Sequence, residues 1–168
     1  IDDLGRVVIP KEIRRTMRIR EGDPLEIFTD AGGEVIFKKY SPIGEIGNYA
    51  EQCAEALAEA TKLGVAVCDR DHCVAAAGVS KKEVLQRRVT PALETVMDER
   101  RTTVFNGENQ IALEGVNRKM CVACPIIISG DVSGAVVMLA SDISDSVDAA
   151  DEKLARVAAS FLSKQLEE

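Results

Sequence analysis

The chain has 168 residues, 46% hydrophobic and 29% charged, enough for one or two folded domains and too apolar for wholesale disorder. No apolar run approaches the roughly 18 residues that span a bilayer, and no basic stretch leads into a hydrophobic one at the N-terminus, so no membrane partner is expected and a cytoplasmic protein is. The formal net charge of −7 argues against nucleic acid when averaged over the chain, because a DNA-binding domain needs an excess of Lys and Arg.

The average conceals two segments. Between positions 6 and 20 lie Arg6, Lys11, Arg14, Arg15, Arg18 and Arg20 against one acid, Glu12, whereas the chain beyond Tyr40 is strongly acidic. Residues 6–9 (RVVI) read as a strand. Pro10 then sits where a helix favours proline, at its first position, and the helix runs to about Met17. Ile13 and Met17 fall one turn apart on one face, leaving Arg14, Arg15 and Arg18 to the others. Gly22-Asp23 breaks the chain. Two β-rich runs follow, 25–29 and 34–39, around the turn residues Asp30-Ala31-Gly32-Gly33. Forty residues with so little apolar material bury too small a fraction of their surface to stand alone. A partner chain must complete the core, so an obligate dimer is expected.

Ser41-Pro42 punctuates the boundary between a first domain, 1–41, and a second, 42–168. From there Ile43, Ile46, Ala50, Cys53, Leu57 and Ala60 recur at spacings of three and four, a heptad-like seam. A second stripe, Val147, Ala150, Leu154, Val157, Phe161 and Leu162, runs along a helix from about Ser146 to Leu166. Each stripe either pairs with another copy or covers the sheet of its own domain. Between them the pattern is mixed: strands at 64–69 and 73–77 around Arg70-Asp71, a capping box Ser80-Lys81-Lys82-Glu83, and a helix start at Thr90-Pro91. A strand at 102–106, an irregular stretch to Lys119, and strands at 120–128 and 135–140 joined through 129–134 complete an α+β fold class.

The run Asp2-Asp3-Leu4-Gly5-Arg6-Val7-Val8-Ile9-Pro10-Lys11-Glu12-Ile13-Arg14-Arg15, continuing through Gly22-Asp23-Pro24-Leu25-Glu26-Ile27, closely resembles the swapped-hairpin AbrB family over about a quarter of the chain. An AbrB-like module followed by an acidic α+β domain framed by two helices is similar to sporulation regulators whose rear part is a GAF domain. The resemblance implies an N-terminal swapped-hairpin β-barrel dimer module followed by a GAF-like antiparallel sheet flanked by helices. It implies a nucleoid-associated transcription regulator that binds double-stranded DNA at AT-rich promoter sites. Arginines of two interleaved chains would converge on the DNA, here Arg6, Arg14 and Arg15, with Lys11, Arg18 and Arg20 as supporting phosphate contacts. Arginine suits such contacts because its planar fork binds a phosphate, or the O6 and N7 edge of guanine, in two places, and it never loses its charge. The family carries one more arginine just upstream of the position of Ile1, and residues before Ile1 are expected because the chain opens without a methionine. Pairing through the framing helices would join such dimers into a tetramer. A GAF-like domain further implies either a small-molecule ligand between the sheet and the segment from Gly78 to Lys119 or a pocket there filled by its own side chains.

Other motifs carry less chemistry. Cys121-Val122-Ala123-Cys124 has the spacing of a redox or zinc motif, but residues three apart on a regular strand face opposite sides, and only His72 and Cys73 resemble a second ligand pair. Cys68 and Cys73 flank a tight turn and read as buried thiols. His72, the only histidine, has no triad partners, and Gly130 and Gly134 have the spacing of a turn. No metal, cofactor or catalytic residue is expected, so the chain reads as a regulator and not an enzyme. Two other readings remain: a reductase of free methionine sulfoxide, as some GAF domains are, and an antitoxin-like protein-binding module.

Overall fold

The computed structural model describes residues 1–140 and 147–167. The chain divides into two compact units, Ile1–Tyr40 and Ser41–Glu168.

The first unit contains α1 (Lys11–Thr16), β1 (Leu25–Thr29) and β2 (Val35–Lys39). Pro10 is the N-cap of α1, one position earlier than predicted, and its carbonyl accepts the first helical bond from the Arg14 amide at 3.0 Å. The helix ends in a Schellman arrangement. Arg18 takes the left-handed conformation with φ 53°, its amide reaches the Arg15 carbonyl at 3.3 Å, and the Ile19 amide reaches Arg14 at 2.8 Å. β1 and β2 pair antiparallel from Leu25↔Lys39 to Thr29↔Val35. Their turn is closed by the Asp30 carboxylate, which accepts from the Glu34 amide at 2.8 Å, and by Gly33 at φ 86°. Residues 6–9 are not a strand within this chain. A strand requires a ladder, and none of the described residues pairs with them. No residue of the unit is buried.

The second unit has a five-stranded antiparallel sheet in the order β4-β3-β7-β6-β5. Its strands are β3 (Gly64–Asp69), β4 (Cys73–Ala77), β5 (Thr103–Val104), β6 (Lys119–Ile128) and β7 (Asp131–Ala140). Ser41 caps α2 (Pro42–Glu45), its hydroxyl accepting from the Gly44 amide at 3.1 Å and donating to Asp69 at 2.8 Å. Then follow α3 (Gly47–Thr61), α4 (Lys81–Val84), α5 (Pro91–Glu99) and α6 (Ala149–Glu167). Thr90 caps α5 as its Thr-Pro pair predicts. Ser80 makes no side-chain cap to α4, so the predicted capping box does not form.

Alternation along the strands builds two cores, one on each face. Val65 and Val67 join Ile43, Ala50, Ala54, Leu57, Ala155, Ala158, Ala159 and Leu162 under α2, α3 and α6. Ala66 and Cys68 face the other way, against Val84, Val89, Leu93, Val96, Met97, Leu113 and Val116. Each large side chain sealed in this way contributes about 1.5–3 kcal/mol of transfer free energy. The seam Ile43, Ala50 and Leu57 therefore covers the sheet of its own unit, while Ala60 is exposed and the helix breaks at Ile46. On α6 the buried stripe is Ala155, Ala158, Ala159 and Leu162, with Leu154 and Val147 packed at its margin. Ala150, Val157 and Phe161 of the predicted stripe are exposed, and Ser146 lies outside the described residues.

Two bulges shift the register of β6 with β7. At the first, Met120 pairs with Leu139 and Val122 with Met138, leaving Cys121 extra. At the second, Ile126 pairs with Gly134 and Ile127 with Val132, leaving Ser133 extra. The connection between these strands is therefore only the tight turn Ser129-Gly130, at φ 50° and 89°. Gly134 belongs to the strand and not to the turn.

Candidate nucleic-acid interface

α1 places Lys11, Arg14 and Arg15 at spacings of three and four, so all three project from one face as an exposed cationic ridge. Ile13 and Met17 share a different stripe and are 47% and 42% exposed, an apolar flank on a six-residue helix. The Arg14 Nε donates to the Ile9 carbonyl at 3.2 Å, a bond that does not use its terminal amino groups. Arg6 precedes the helix in a tight loop. Its Nε donates to Asp2 Oδ2 at 2.6 Å, and its side chain stays 73% exposed. The Arg6 amide and guanidinium hold the Asp2 carboxyl below the usual carboxylate range. The Asp2 carboxylate accordingly keeps its charge through the neutral range, and the ion pair is lost only as pH falls through that depressed value.

Arg18 and Arg20 lie beyond the helix and are half-buried. The Arg18 carbonyl accepts from Lys39 Nζ at 3.0 Å, and the Arg20 amide donates to Asp23 Oδ2 at 2.8 Å. Their backbones are tied to the rest of the unit, while Lys11, Arg14 and Arg15 stand on its surface. The left-handed Arg18 is the C′ residue of the helix cap, a place where glycine is usual. Sequence reasoning missed Asp2, whose signal was an acid three residues before a glycine that turns with φ 73°.

The cysteines depart from expectation in one respect. Because Cys121 is the extra residue of a bulge, it turns to the same face as Val122 and Cys124, and both thiols join the core beneath α3 and α6. The strand alternation that set them on opposite faces does not apply across a bulge. Their surroundings are nonetheless those of packed thiols. Cys121 Sγ donates to the Met138 carbonyl at 3.1 Å and Thr102 Oγ1 donates to Cys124 Sγ at 3.2 Å. Burial pushes the Cys124 thiol up. Cys68 and Cys73 are direct cross-strand partners, both fully buried. The Cys73 side chain and burial raise the Cys68 thiol well above its ordinary value. Cys53 is half-buried and its thiol is also raised by burial. Since the thiolate is the nucleophile, alkylation of the folded protein at pH 7.5 should label Cys53 first and leave the other four until denaturant is added. Rapid labelling of Cys121 or Cys124, read by peptide mass spectrometry, would favour reductase chemistry instead. Among the described residues no three His, Cys, Asp or Glu side chains form a metal-binding group, and no helix is long and apolar enough to cross a membrane.

The outer side of α3 and α6 carries a small apolar face. Tyr49 and Phe161 meet edge to face with ring centroids 6.3 Å apart, and Tyr49, Val157 and Phe161 are 46%, 65% and 42% exposed.

Comparison with known proteins places both units. Residues 1–44 match the model described as "Antidote-toxin recognition MazE, bacterial antitoxin", and a 42-residue stretch is 57% identical to the transition state regulatory protein AbrB of Bacillus subtilis, covering 25% of this chain and 43% of that one. The sheet unit resembles the GAF domain of Acinetobacter phosphoenolpyruvate-protein phosphotransferase with a TM-score of 0.57 at 12% identity, over 77% of this chain and 84% of that one, a likeness of fold alone. An AbrB-like N-terminal domain joined to a GAF-like antiparallel sheet with flanking helices defines a two-domain transcription factor. Residues 45–167 match the model "Stage V sporulation protein T C-terminal, transcription factor". Over 171 residues the chain is 46% identical to stage V sporulation protein T of Bacillus subtilis, covering 100% of this chain and 95% of that one. The chain belongs to the stage V sporulation protein T family.

Proposed function

We propose that this regulator binds AT-rich promoter DNA of sporulation genes as an obligate dimer, with Arg6, Arg14 and Arg15 as its principal contacts and Lys11, Arg18 and Arg20 as phosphate contacts. One observation carries the reading. The first unit buries none of its residues, yet presents Val8 at 87%, Ile27 at 64% and Val35 at 58% exposure beside a ridge of cations. A second copy interleaved with the first would cover the apolar surface, give residues 6–9 their missing ladder, and bring both ridges to one side. The first domain then reads DNA and the second senses or oligomerises. The chain acts in the cytoplasm on the nucleoid, within the forespore, and its thiols serve packing and not catalysis.

The outer face of Tyr49, Val157 and Phe161 supports joining of dimers into a tetramer through α3 and α6. A small-molecule ligand would have to enter between the sheet and the segment from Gly78 to Lys119. Leu93, Met97, Leu113 and Met120 are sealed there, so binding would require these side chains to repack.

The test is fluorescence anisotropy of the full chain on an AT-rich duplex across a salt series. If a dimer makes about six phosphate contacts, affinity should fall about a thousandfold between 50 and 200 mM salt. Salt-independent or undetectable binding by a dimeric protein would turn the reading toward an antitoxin-like protein-binding module.

A further inference from the structure

Asp2 is the organising residue of the loop that presents Arg6. Its Oδ1 accepts from the Leu4 amide at 3.0 Å and the Arg6 amide at 2.8 Å, while Oδ2 takes the Arg6 Nε at 2.6 Å. The backbone closes around it: the Asp2 amide donates to the Arg6 carbonyl at 3.2 Å and the Gly5 amide to the Asp2 carbonyl at 3.0 Å. One carboxylate thus fixes both the main chain and the guanidinium of the same arginine.

An exposed ion pair adds little to stability, so the pair is poorly explained as a staple. As a counter-ion it is worse placed, since a negative charge beside a DNA-facing arginine repels phosphates. The atom it engages offers another account. A guanidinium has five N–H donors in a planar fork, and Asp2 engages the one on Nε, on the flank of the fork. The end of the fork, where two amino groups match a phosphate or the O6 and N7 edge of guanine, is not used by that bond and belongs to a side chain that is 73% exposed. Arg14 repeats the device with a backbone acceptor, its Nε bound to the Ile9 carbonyl at 3.2 Å. That second tether cannot be removed by substitution, whereas the first can.

We propose that Asp2 is a positioning residue for sequence recognition: it holds Arg6 by its flank and aims the end of its fork at the DNA, an inference that rests on Arg6 being a DNA contact. Holding the fork in advance lowers the rotamer freedom lost on binding. It should therefore sharpen discrimination at one base or step while costing some nonspecific attraction.

The two roles of the carboxylate predict opposite signs. The full chain is used to enrich duplexes from a random pool, and affinities for the enriched duplex and the unselected pool are then measured at one salt concentration. Four proteins are compared: wild type, Asp2→Asn, Arg6→Ala and the double variant. Asn keeps an oxygen for the two backbone amides but loses the ionic bond to Nε, so the loop is retained while the guanidinium is released. Light scattering checks that each protein has the wild-type assembly state. Asp2→Asn is expected to lose about tenfold in affinity for the enriched duplex, with binding to the unselected pool unchanged or tighter, and the double variant should bind no worse than Arg6→Ala. If Asp2→Asn tightens or leaves both affinities in the wild-type ratio, Asp2 is a mere counter-ion and the proposal fails. If Arg6→Ala itself binds both duplexes like wild type, the DNA-contact reading of Arg6 fails first, and the positioning role falls with it.

Discussion

Replacing Arg14 and Arg15 together by alanine is expected to lower affinity for duplex DNA by about a thousandfold at 0.15 M salt. Each dimer would lose four cations from the exposed ridge of α1. A phosphate contact releases about 0.9 of a condensed counter-ion, so each is worth roughly 0.7 of a decade at that salt concentration. The slope of log affinity against log salt should also shrink by about 3.6, the signature of four lost phosphate contacts. Folding should be little affected. Both side chains are exposed, the bond lost among the described residues is the surface contact from Arg14 to Ile9, and alanine is the better helix former. The control removes two exposed cations from the GAF-like unit, Lys82→Ala with Lys153→Ala, which changes net charge equally. If the control weakens binding as much as the α1 variant, the ridge is not the interface and bulk charge governs the interaction.

Much of the fold was legible because two periods carry it. The bounds of β3 and β4 were readable from sequence, since a strand buried on both faces is a short apolar run bracketed by turn residues, here Asp69 to Asp71 and Gly78. The cationic ridge was legible as well, because residues three and four apart share a helix face whatever else surrounds them. The turned-over stripe on α6 has a different cause. Val157 and Phe161 look like core by size, but the helix lies over β6 with Ala155, Ala158 and Ala159 beneath it. Small side chains let a helix approach a sheet closely, which reading by hydrophobic bulk undervalues. Cys121 was misplaced because facing depends on the count of residues between paired strands. One inserted residue reverses it, and nothing local marks the insertion. The strand predicted at 6–9 could not be tested by alternation at all, because no described residue of this chain pairs with it and a ladder would have to come from a second chain.

Gly134→Ala is expected to be far more damaging than Gly130→Ala, although the two glycines read alike in sequence. An added Cβ at Gly134 would stand 2.0 Å from the Cys68 carbonyl oxygen and 3.1 Å from the Asp69 Cα. Both are backbone atoms of β3, the strand paired with Gly134 through Asp69. A clash with a flexible side-chain end is relieved by rotation, but here β3 or β7 must move. Neither can do so freely, because β3 is held on its other edge by β4 and β7 by β6. A cost of about 3 kcal/mol or more follows from overpacking a site that cannot relax. At Gly130 an added Cβ meets nothing within 4 Å, and the penalty is the left-handed conformation at φ 89°, about 1–2 kcal/mol. Urea unfolding of the two alanine variants should therefore show a clearly larger fall in midpoint for Gly134→Ala, with the slopes alike. Equal midpoints would mean that the bulge at Ser133 yields enough to admit a methyl group, and that the register of β7 on β3 is softer than its pairing implies.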